Sequence, residues 1–306
     1  MIMRYEYLTH HPNVFVSATG LRVNEFDQLI DDVQARYMQA EHERLSRPDR
    51  QRAIGGGQSA VLSARDQILM GIVWLRLYPT NEVLGYLFGV SDSTVSRYIQ
   101  RVVKVLEAAG QDKMRMPDPG RKRRRTLDVL LKATPELAVV IDSFEQKVQR
   151  PAQAAARDAL YSGKKKTHTL KSQVSVDEDT GQIVDVSDSR PGPLADVKLV
   201  EHSGVLQRLP PGVGAIGDCG YQGSHDLHPL AHSPRKKPRG KNRPPEDVAY
   251  NTALSRRRII VENSIGRMPR YQAITQTDRH HRQLHTARVR AVAGLANRQI
   301  ANRLPC

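Results

Sequence analysis

Apolar and polar positions change their spacing partway along the chain. Across residues 63–109 the apolar side chains recur at helical spacing, which predicts amphipathic helices, and residues 1–62 are interpreted as a smaller helical lead-in. Further on, the apolar run LAVVID at 137–142 predicts a strand. Alternating residues at 167–176 and 182–187 flank the turn sequence DEDTG and predict a hairpin. The two patterns indicate an all-α region followed by strands.

The remaining part of the chain mixes strand and helix patterns. A short apolar run at 213–218 predicts another strand, whereas the Pro-rich basic stretch PRKKPRGKNRPP at 234–245 excludes regular structure. Helices are predicted over 195–209, 246–268 and 284–303. Strands that alternate with helices in this way favour an α/β domain built on a mixed sheet.

Pro, Gly and a basic run mark a boundary between the two regions. We predict four segments: a lead-in at 1–62, a helical domain at 63–109, a basic linker at 110–134 and the α/β domain at 135–306. Within the linker, Arg121, Lys122 and Arg123 belong to the run RKRRR. Such a run is either a solvated segment or a strap across nucleic-acid phosphates.

The charge balance narrows the class of partner. Among 306 residues, 47 Lys and Arg stand against 32 Asp and Glu, which gives a formal charge of +15. This excess favours a polyanion, and nucleic acid is the first candidate, although ribosomal and membrane-surface proteins are also basic. Two cysteines make no disulfide framework. The absence of a long apolar run leads us to expect no membrane contact and a cytoplasmic location.

The stretch TNEVLGYLFGVSDSTVSRYIQ has the pattern of a helix-turn-helix. Gly89 supplies the turn, Ser91 or Asp92 is placed to cap the second helix, and apolar residues fall where two helices bury side chains against each other. An ordinary helical hairpin is the alternative. If the second helix enters a DNA groove, five outward polar residues are the predicted contacts: Ser93, Thr94, Ser96, Arg97 and Gln100.

Three acids from distant parts of the chain are candidates for one metal site. Asp142 and Asp218 each end an apolar strand run, and Glu262 lies on a helix with Arg258 four residues earlier. Each acid alone is explained as a cap, a surface charge or an ion pair. Together, on one side of a sheet, they need a cation, and hard divalent ions such as Mg²⁺ prefer carboxylate oxygens. Two such ions stabilise both oxygens of an in-line phosphoryl transfer.

The motifs in this order resemble the DDE-type transposases of bacterial insertion sequences, in particular the IS5-like group and its Harbinger-like relatives. The resemblance covers most of the chain: the helix-turn-helix, VVIDSFEQKVQRP, YSGKKKTHTLKSQVSVDEDTG, AIGDCGYQG, SPRKKPRG and RRRIIVENSIGRM. It departs from the family at Ser255, where many relatives carry Tyr, and at Ala195, where many carry His.

The resemblance implies a fold, a reaction and a set of partners. The fold is an RNase H-like mixed sheet flanked by helices. Asp142, Asp218 and Glu262 hold two Mg²⁺ or Mn²⁺ ions, and Arg258 orients Glu262. The protein acts on double-stranded DNA, at the terminal inverted repeats of its element and at target DNA, as a homo-oligomer in the active complex. The predicted function is transposition by strand cleavage and strand transfer.

Four lysines and two rival functions complete the sequence-based expectations. Phosphates of the bound DNA are the expected ligands of Lys164, Lys165, Lys166 and Lys171, although a lysine run is also typical of a solvated surface. The first rival function is a DNA-binding regulator whose acids do not catalyse. The second is a metal-dependent nuclease that cuts without joining strands.

Overall fold

Helices come first in this chain and a sheet follows. The computed structural model describes residues 3–46, 48, 60–120, 134–240 and 242–302. The N-terminal helices are α1 (Tyr5–Thr9), α2 (Pro12–Thr19), α3 (Val23–Leu45), α4 (Ala64–Leu77), α5 (Asn81–Phe88) and α6 (Asp92–Gln111). None of the described helices is both long and apolar enough to cross a membrane.

Helices α5 and α6 form the predicted helix-turn-helix. Gly89 ends α5 in the left-handed conformation, at a φ of 67°, and the Ser91 hydroxyl caps α6 by accepting a hydrogen bond from the amide of Thr94. Leu84 and Val95 are fully buried between the two helices and the rest of the core. The motif therefore forms for the local reasons that the sequence indicated.

The second half of the chain is built on a mixed seven-stranded sheet. Its main path runs β2-β3-β1-β6-β7, and two more strands pair with β3. The strands are β1 (Leu137–Lys147), β2 (Tyr161–Ser162), β3 (Thr167–Asp177), β4 (Ile183–Val186), β5 (Arg190–Pro191), β6 (Val213–Ile216) and β7 (Ala231–His232). Strand β3 pairs antiparallel with β1, whereas β1, β6 and β7 are parallel.

Helices cover both faces of this sheet. They are α7 (Ala154–Leu160), α8 (Asp196–Ser203), α9 (Ser224–Leu227), α10 (Pro245–Ile265) and α11 (His285–Ala301). Alternate residues of β1 face opposite sides: Val140 belongs to a core shared with α1–α6, α10 and α11, and Val139 belongs to a smaller core under α8. The fold class expected from the sequence, an all-α region before an RNase H-like mixed α/β sheet, is confirmed.

Two glycines bring helix α6 into backbone contact with helix α11. A Cβ built on Gly110 of α6 would lie 3.1 Å from the Cα of Gly294 in α11, and the reverse distance is 2.8 Å. A buried ion pair between Asp278 and Arg288 lies nearby, and the Tyr78 hydroxyl at the end of α4 donates to Asp278 at 3.3 Å. Helices α4 and α6 are therefore packed directly onto the α/β region.

A second buried ion pair fixes α10 to the sheet. The Arg257 guanidinium donates from Nε to Glu178 Oε2 at 2.8 Å and from Nη2 to Glu178 Oε1, and both side chains are almost inaccessible to solvent. Its Nη1 also donates to the hydroxyl of Thr134 and the carbonyl of Pro135. One turn of α10 is thereby held against the start of β1 and the end of β3.

The structure moves several predicted boundaries. Strand β1 continues five residues past Asp142, because Ser143–Lys147 remain paired with β3. The helix predicted over 195–209 ends at Ser203, where Gly204 turns at a φ of 63°. The hairpin of β3 and β4 is confirmed. The four-segment domain division stays a prediction, and most of its basic linker lies outside the described residues.

Replacement of Arg257 tests the role of this ion pair. We expect Arg257→Ala to lower the free energy of unfolding by about 3 to 5 kcal/mol, because the buried Glu178 carboxylate would lose its guanidinium. Urea unfolding followed by circular dichroism measures the change. The exposed neighbour provides the control, since Arg256→Ala should change stability by less than about 0.5 kcal/mol. Equal losses of stability in the two variants would contradict a stabilising role for the ion pair between Arg257 and Glu178.

Candidate active site

The parallel pairing of β1 with β6 brings two predicted acids together. The last paired residues are Val140 and Ile216, and each strand reaches an aspartate two residues later, Asp142 and Asp218. Adjacent strands lie about 4.8 Å apart, and the alternation of side chains places both acids on the face of Val140. The region around Asp142, Asp218 and the neighbouring Asp196, where β6 ends beside β1, is called the acid end below.

The Gly-rich turn after β6 shapes the acid end through close backbone contacts. A Cβ on Gly217 would lie 2.6 Å from the Tyr221 ring, so glycine lets that ring fold under the turn. Asp218 Oδ1 accepts the amide of Gly220 at 2.8 Å. A Cβ on Gly220 would lie 2.3 Å from Asp196 Oδ2. The turn therefore needs small residues because an aromatic ring and a second carboxylate lie against its backbone.

Asp196, the first residue of α8, is a third acid in this neighbourhood. Its Oδ1 accepts hydrogen bonds from the Ser143 hydroxyl at 2.7 Å and from Lys171 Nζ at 3.1 Å. Lys171 is buried and also donates to the Leu194 carbonyl at 2.7 Å. Its ammonium therefore neutralises Asp196 inside the protein. This corrects the prediction for Lys171, whose charge is turned inward instead of toward a DNA phosphate.

The acid end carries uncompensated negative charge. Burial raises the pKa of Asp142 above its ordinary value, and the carboxylates of Asp218 and Asp196 raise it further. The backbone amide of Ser143 and the positive charge of Arg258 act in the opposite direction. Burial also raises the pKa of the Tyr221 phenol well above its ordinary value, with the three aspartates adding to the effect. Tyr221 therefore stays neutral beneath the carboxylates.

Glu262 lies on α10 at the edge of the residues that the helix buries. Helix α10 buries Leu254, Arg257 and Val261, and Glu262 is exposed to solvent next to this buried stripe. No ion pair within 4 Å joins Arg258 to Glu262 in the described part of the chain, and the charge of Arg258 acts on Asp142. The place of Glu262 in a metal site stays a prediction.

The donor chemistry of the acid end fits a hard divalent cation. Two aspartates at equivalent levels of adjacent strands supply carboxylate oxygens, which are the ligands that such ions prefer. Among the described residues, no group of three or more His, Cys, Asp or Glu side chains is arranged around one point for a metal ion. The structure thus brings Asp142 and Asp218 together, and Glu262 as a third ligand stays a prediction.

The predicted DNA contacts occupy two surfaces. On α6, Ser93, Arg97 and Gln100 are exposed, and Thr94 and Ser96 are partly exposed. Lys164, Lys165 and Lys166 are exposed in the turn between β2 and β3. Arg121, Lys122 and Arg123 lie outside the described residues. The contacts of all these side chains with DNA stay predictions.

Sequence reasoning missed the roles of several residues at this site. The sequence indicated no role for Asp196, because the sequences around the two strand acids, AVVID and AIGDCG, contain no hint of a third carboxylate from α8. Arg257 and Glu178 are 79 residues apart. A signal for Asp196 did exist, since an acid at the start of a helix is favoured by the helix dipole.

Comparisons with known proteins identify families that match two parts of the chain. Residues 141–297 match the model of the family described as DDE superfamily endonuclease, and residues 60–112 match the helix-turn-helix of DDE superfamily endonuclease. The chain is 29% identical over 287 residues, 94% of each chain, to a protein of Microchaete diplosiphon named probable transposase for insertion sequence element IS702.

Solved structures give only remote similarity. A pre-cleavage Mos1 transpososome aligns over 99% of this chain and 98% of that chain, with 12% identity and a TM-score of 0.21. The Mos1 mariner paired end complex with Mn aligns over 75% and 86%, with 13% identity and a TM-score of 0.18. TM-scores this low carry no structural argument.

The family model spans the part of the chain that contains β1, the acid end and α10, and the second model spans the helix-turn-helix. The narrower assignment to an IS5-like or Harbinger-like group stays a prediction. The chain belongs to the DDE superfamily endonuclease family.

Proposed function

We propose that this protein is a transposase that binds the ends of its element and catalyses metal-dependent cleavage and transfer of DNA strands. The supporting observation is the juxtaposition of Asp142 and Asp218 at the acid end, in a chain that also carries a helix-turn-helix. The similarity to a probable insertion-sequence transposase over 94% of both chains favours the same function.

The acidic residues are proposed to bind metal ions, and the residues around them are proposed to hold these carboxylates in place. Asp142, Asp218 and Glu262 would hold Mg²⁺ or Mn²⁺, and two such ions, when bound, stabilise the attacking and leaving oxygens of a phosphodiester. Arg258 offsets the negative charge at Asp142 and thereby helps keep this carboxylate ionised. Asp196, held by Lys171 and Ser143, keeps the turn of Asp218 in place.

The exposed residues of α6 are proposed to bind the element ends. Arg97 is exposed, and its Nε donates to the Ser93 carbonyl at 3.1 Å, which holds the guanidinium along the first turns of the helix. The N-terminal part of a second helix is where helix-turn-helix proteins contact base edges. Joining of two element ends requires more than one subunit in the active complex.

The exposed position of Glu262 favours testing one alternative, a DNA-binding regulator without catalysis. A strand-transfer assay distinguishes the functions. Purified protein is incubated with Mg²⁺ and a duplex that carries the terminal inverted repeat flanking the gene. Joined products support the transposase, nicked products alone indicate a nuclease, and a mobility shift without either product indicates a regulator.

Substitution of the acids tests the catalytic assignment. Asp142→Asn, Asp218→Asn and Glu262→Gln should each reduce cleavage below detection and leave DNA binding nearly unchanged, because an amide is a poor ligand for Mg²⁺. Gel assays measure cleavage and a mobility shift measures binding. Glu246→Gln on the exposed first turn of α10 is the control and should cut normally. Normal cutting by Glu262→Gln would remove Glu262 from the ligand set.

Loss of a cation from α6 tests the binding surface. Arg97→Ala should weaken binding to the element end by about 1 to 3 kcal/mol if the guanidinium reads a base edge. Fluorescence anisotropy with the cognate duplex and a scrambled duplex separates loss of affinity from loss of specificity. Arg44→Ala on α3 is the matched control. Equal affinities of the Arg97 and Arg44 variants would exclude Arg97 from the interface.

Crowding at Gly220 tests the coupling of Asp196 to the acid end. Gly220→Ala should slow cleavage by about 100-fold, because the new methyl group would displace Asp196 or the turn that holds Asp218. DNA binding should be retained. Gly163→Ala is the control, since nothing lies within 4 Å of its added methyl group. Full cleavage activity of the Gly220 variant would contradict the proposed coupling between Asp196 and the turn that holds Asp218.

A further inference from the structure

A second basic surface lies beside the acid end and is not used in the proposed function so far. Residues 234–240 and 242–245, called the basic loop below, lie between β7 and the first turn of α10. Four of its cations, Lys236, Lys237, Arg239 and Arg243, are exposed. None of the four forms an ion pair with another described residue, in contrast to Arg235 at the start of the loop.

The topology of the sheet places this loop next to the catalytic carboxylates. Strand β7 is parallel to β6, and His232 is the partner of Ile216. Two residues further on, the chain reaches Pro234 on one strand and Asp218 on the other. The basic loop therefore starts at the same end of the sheet as Asp218. Gln222 Nε2 donates to the Pro234 carbonyl at 2.8 Å and ties the loop to the acid turn.

The beginning of the loop is also fixed to α10. Arg235 donates from Nη1 to Asp247 Oδ1 at 2.9 Å, and its guanidinium lies 4.3 Å from the centre of the Tyr250 ring. The backbone of Arg235 exchanges two hydrogen bonds with the side chain of Asn251, at 2.8 and 3.0 Å. Arg235 is thus an internal anchor, and the four cations beyond it are left for an external partner.

Prolines restrict the rest of the loop. Pro234, Pro238, Pro244 and Pro245 each fix φ near −65°, so less conformational entropy is lost when the loop binds a partner. A stiff segment with exposed cations binds an extended polyanion better than a flexible segment with the same cations does. The composition that excluded regular structure therefore also provides a preorganised binding segment.

Electrostatics favours DNA as the partner. Asp142, Asp218 and Asp196 would repel a phosphodiester that approaches the acid end, so cations beside them must offset this repulsion. The basic loop starts two residues after His232, the partner of Ile216, and therefore begins at the level of Asp218 on the neighbouring strand. Its cations are thus in the part of the sheet where this repulsion arises.

We propose that the basic loop binds the phosphate backbone of duplex DNA at the acid end, through Lys236, Lys237, Arg239 and Arg243. This inference rests on the proposed function, because it names the surface that holds the DNA being cut. It assigns to the loop a role separate from that of α6, which reads the element end. The loop contacts phosphates only, so its contribution does not depend on DNA sequence.

Salt-dependent binding of the full-length protein tests the proposal. The variant replaces Lys236, Lys237, Arg239 and Arg243 by Gln, and the probe is a labelled DNA duplex of arbitrary sequence. Binding is measured without divalent ions over a range of salt concentrations. For the DNA duplex, the slope of log affinity against log salt should become shallower by about 0.9 for each phosphate contact that is lost.

A matched control separates local contacts from total charge. It replaces four exposed cations that are ion-paired and lie on α3, after α6 and after α8: Arg36, Arg44, Lys113 and Arg208. Both variants lose the same charge, and the control should keep the wild-type slope. Circular dichroism and thermal midpoints verify that both fold. A second variant, with only Arg239 and Arg243 replaced, should give a smaller change of slope.

The outcomes distinguish this inference from the proposed function. An unchanged DNA slope in the loop variant, with cleavage and joining by the wild-type protein, would overturn the inference alone. Equal slope changes in the loop variant and the control would also overturn it. If the wild-type protein binds DNA through the loop but neither cuts nor joins strands, the proposed function fails and the loop assignment stands.

Discussion

The parallel register between β1 and β6 is the constraint on which the site depends. Because side chains alternate along a strand, a slip of one residue would move Asp142 to the opposite face of the sheet from Asp218. The observed register pairs Val140 with Ile216 and so brings both acids to one level. Apolar residues on both faces of β1 hold it there, since Val140 and Val139 belong to two different cores.

The second requirement is the placement of α10 over the same sheet. This helix has no clear apolar face, so hydrophobic burial alone gives it a weak preference for one orientation. The paired charges of Arg257 and Glu178 supply the missing specificity, because a buried guanidinium must meet its carboxylate. Their pairing determines that Arg258 influences Asp142 and that Glu262 faces solvent in the structure without DNA.

Local signals in the sequence were sufficient for the helix-turn-helix and for the hairpin. Gly89 and Ser91 act on their immediate neighbours, so turn and cap were predictable from residue type and spacing. The extension of β1 past Asp142 was not predictable, because the burial of the polar residue Gln146 depends on hydrogen bonds to the carbonyls of Ala273 and Gln276 and to the ring of His285. Long-range pairing decided this part of β1.

Charged residues were the main source of error at the site. Lys and Arg side chains are rarely buried. Lys171 is buried because it pairs with Asp196, and Arg257 is buried because it pairs with Glu178. Neither pairing can be recognised from the sequence. The family motif identified Asp142 and Asp218 as candidates. It contained no information on which face of α10 meets the sheet, and so the orientation of Glu262 required coordinates.

The contact between Gly110 and Gly294 has a mechanical consequence. With two backbones touching, no layer of side chains separates α6 from α11, and the close packing of these helices resists sliding or tilting. The helix that carries Arg97 and the sheet that carries Asp142 therefore behave as parts of one stiff frame. The distance between the exposed face of α6 and the carboxylates at the acid end is therefore set by the fold of the protein.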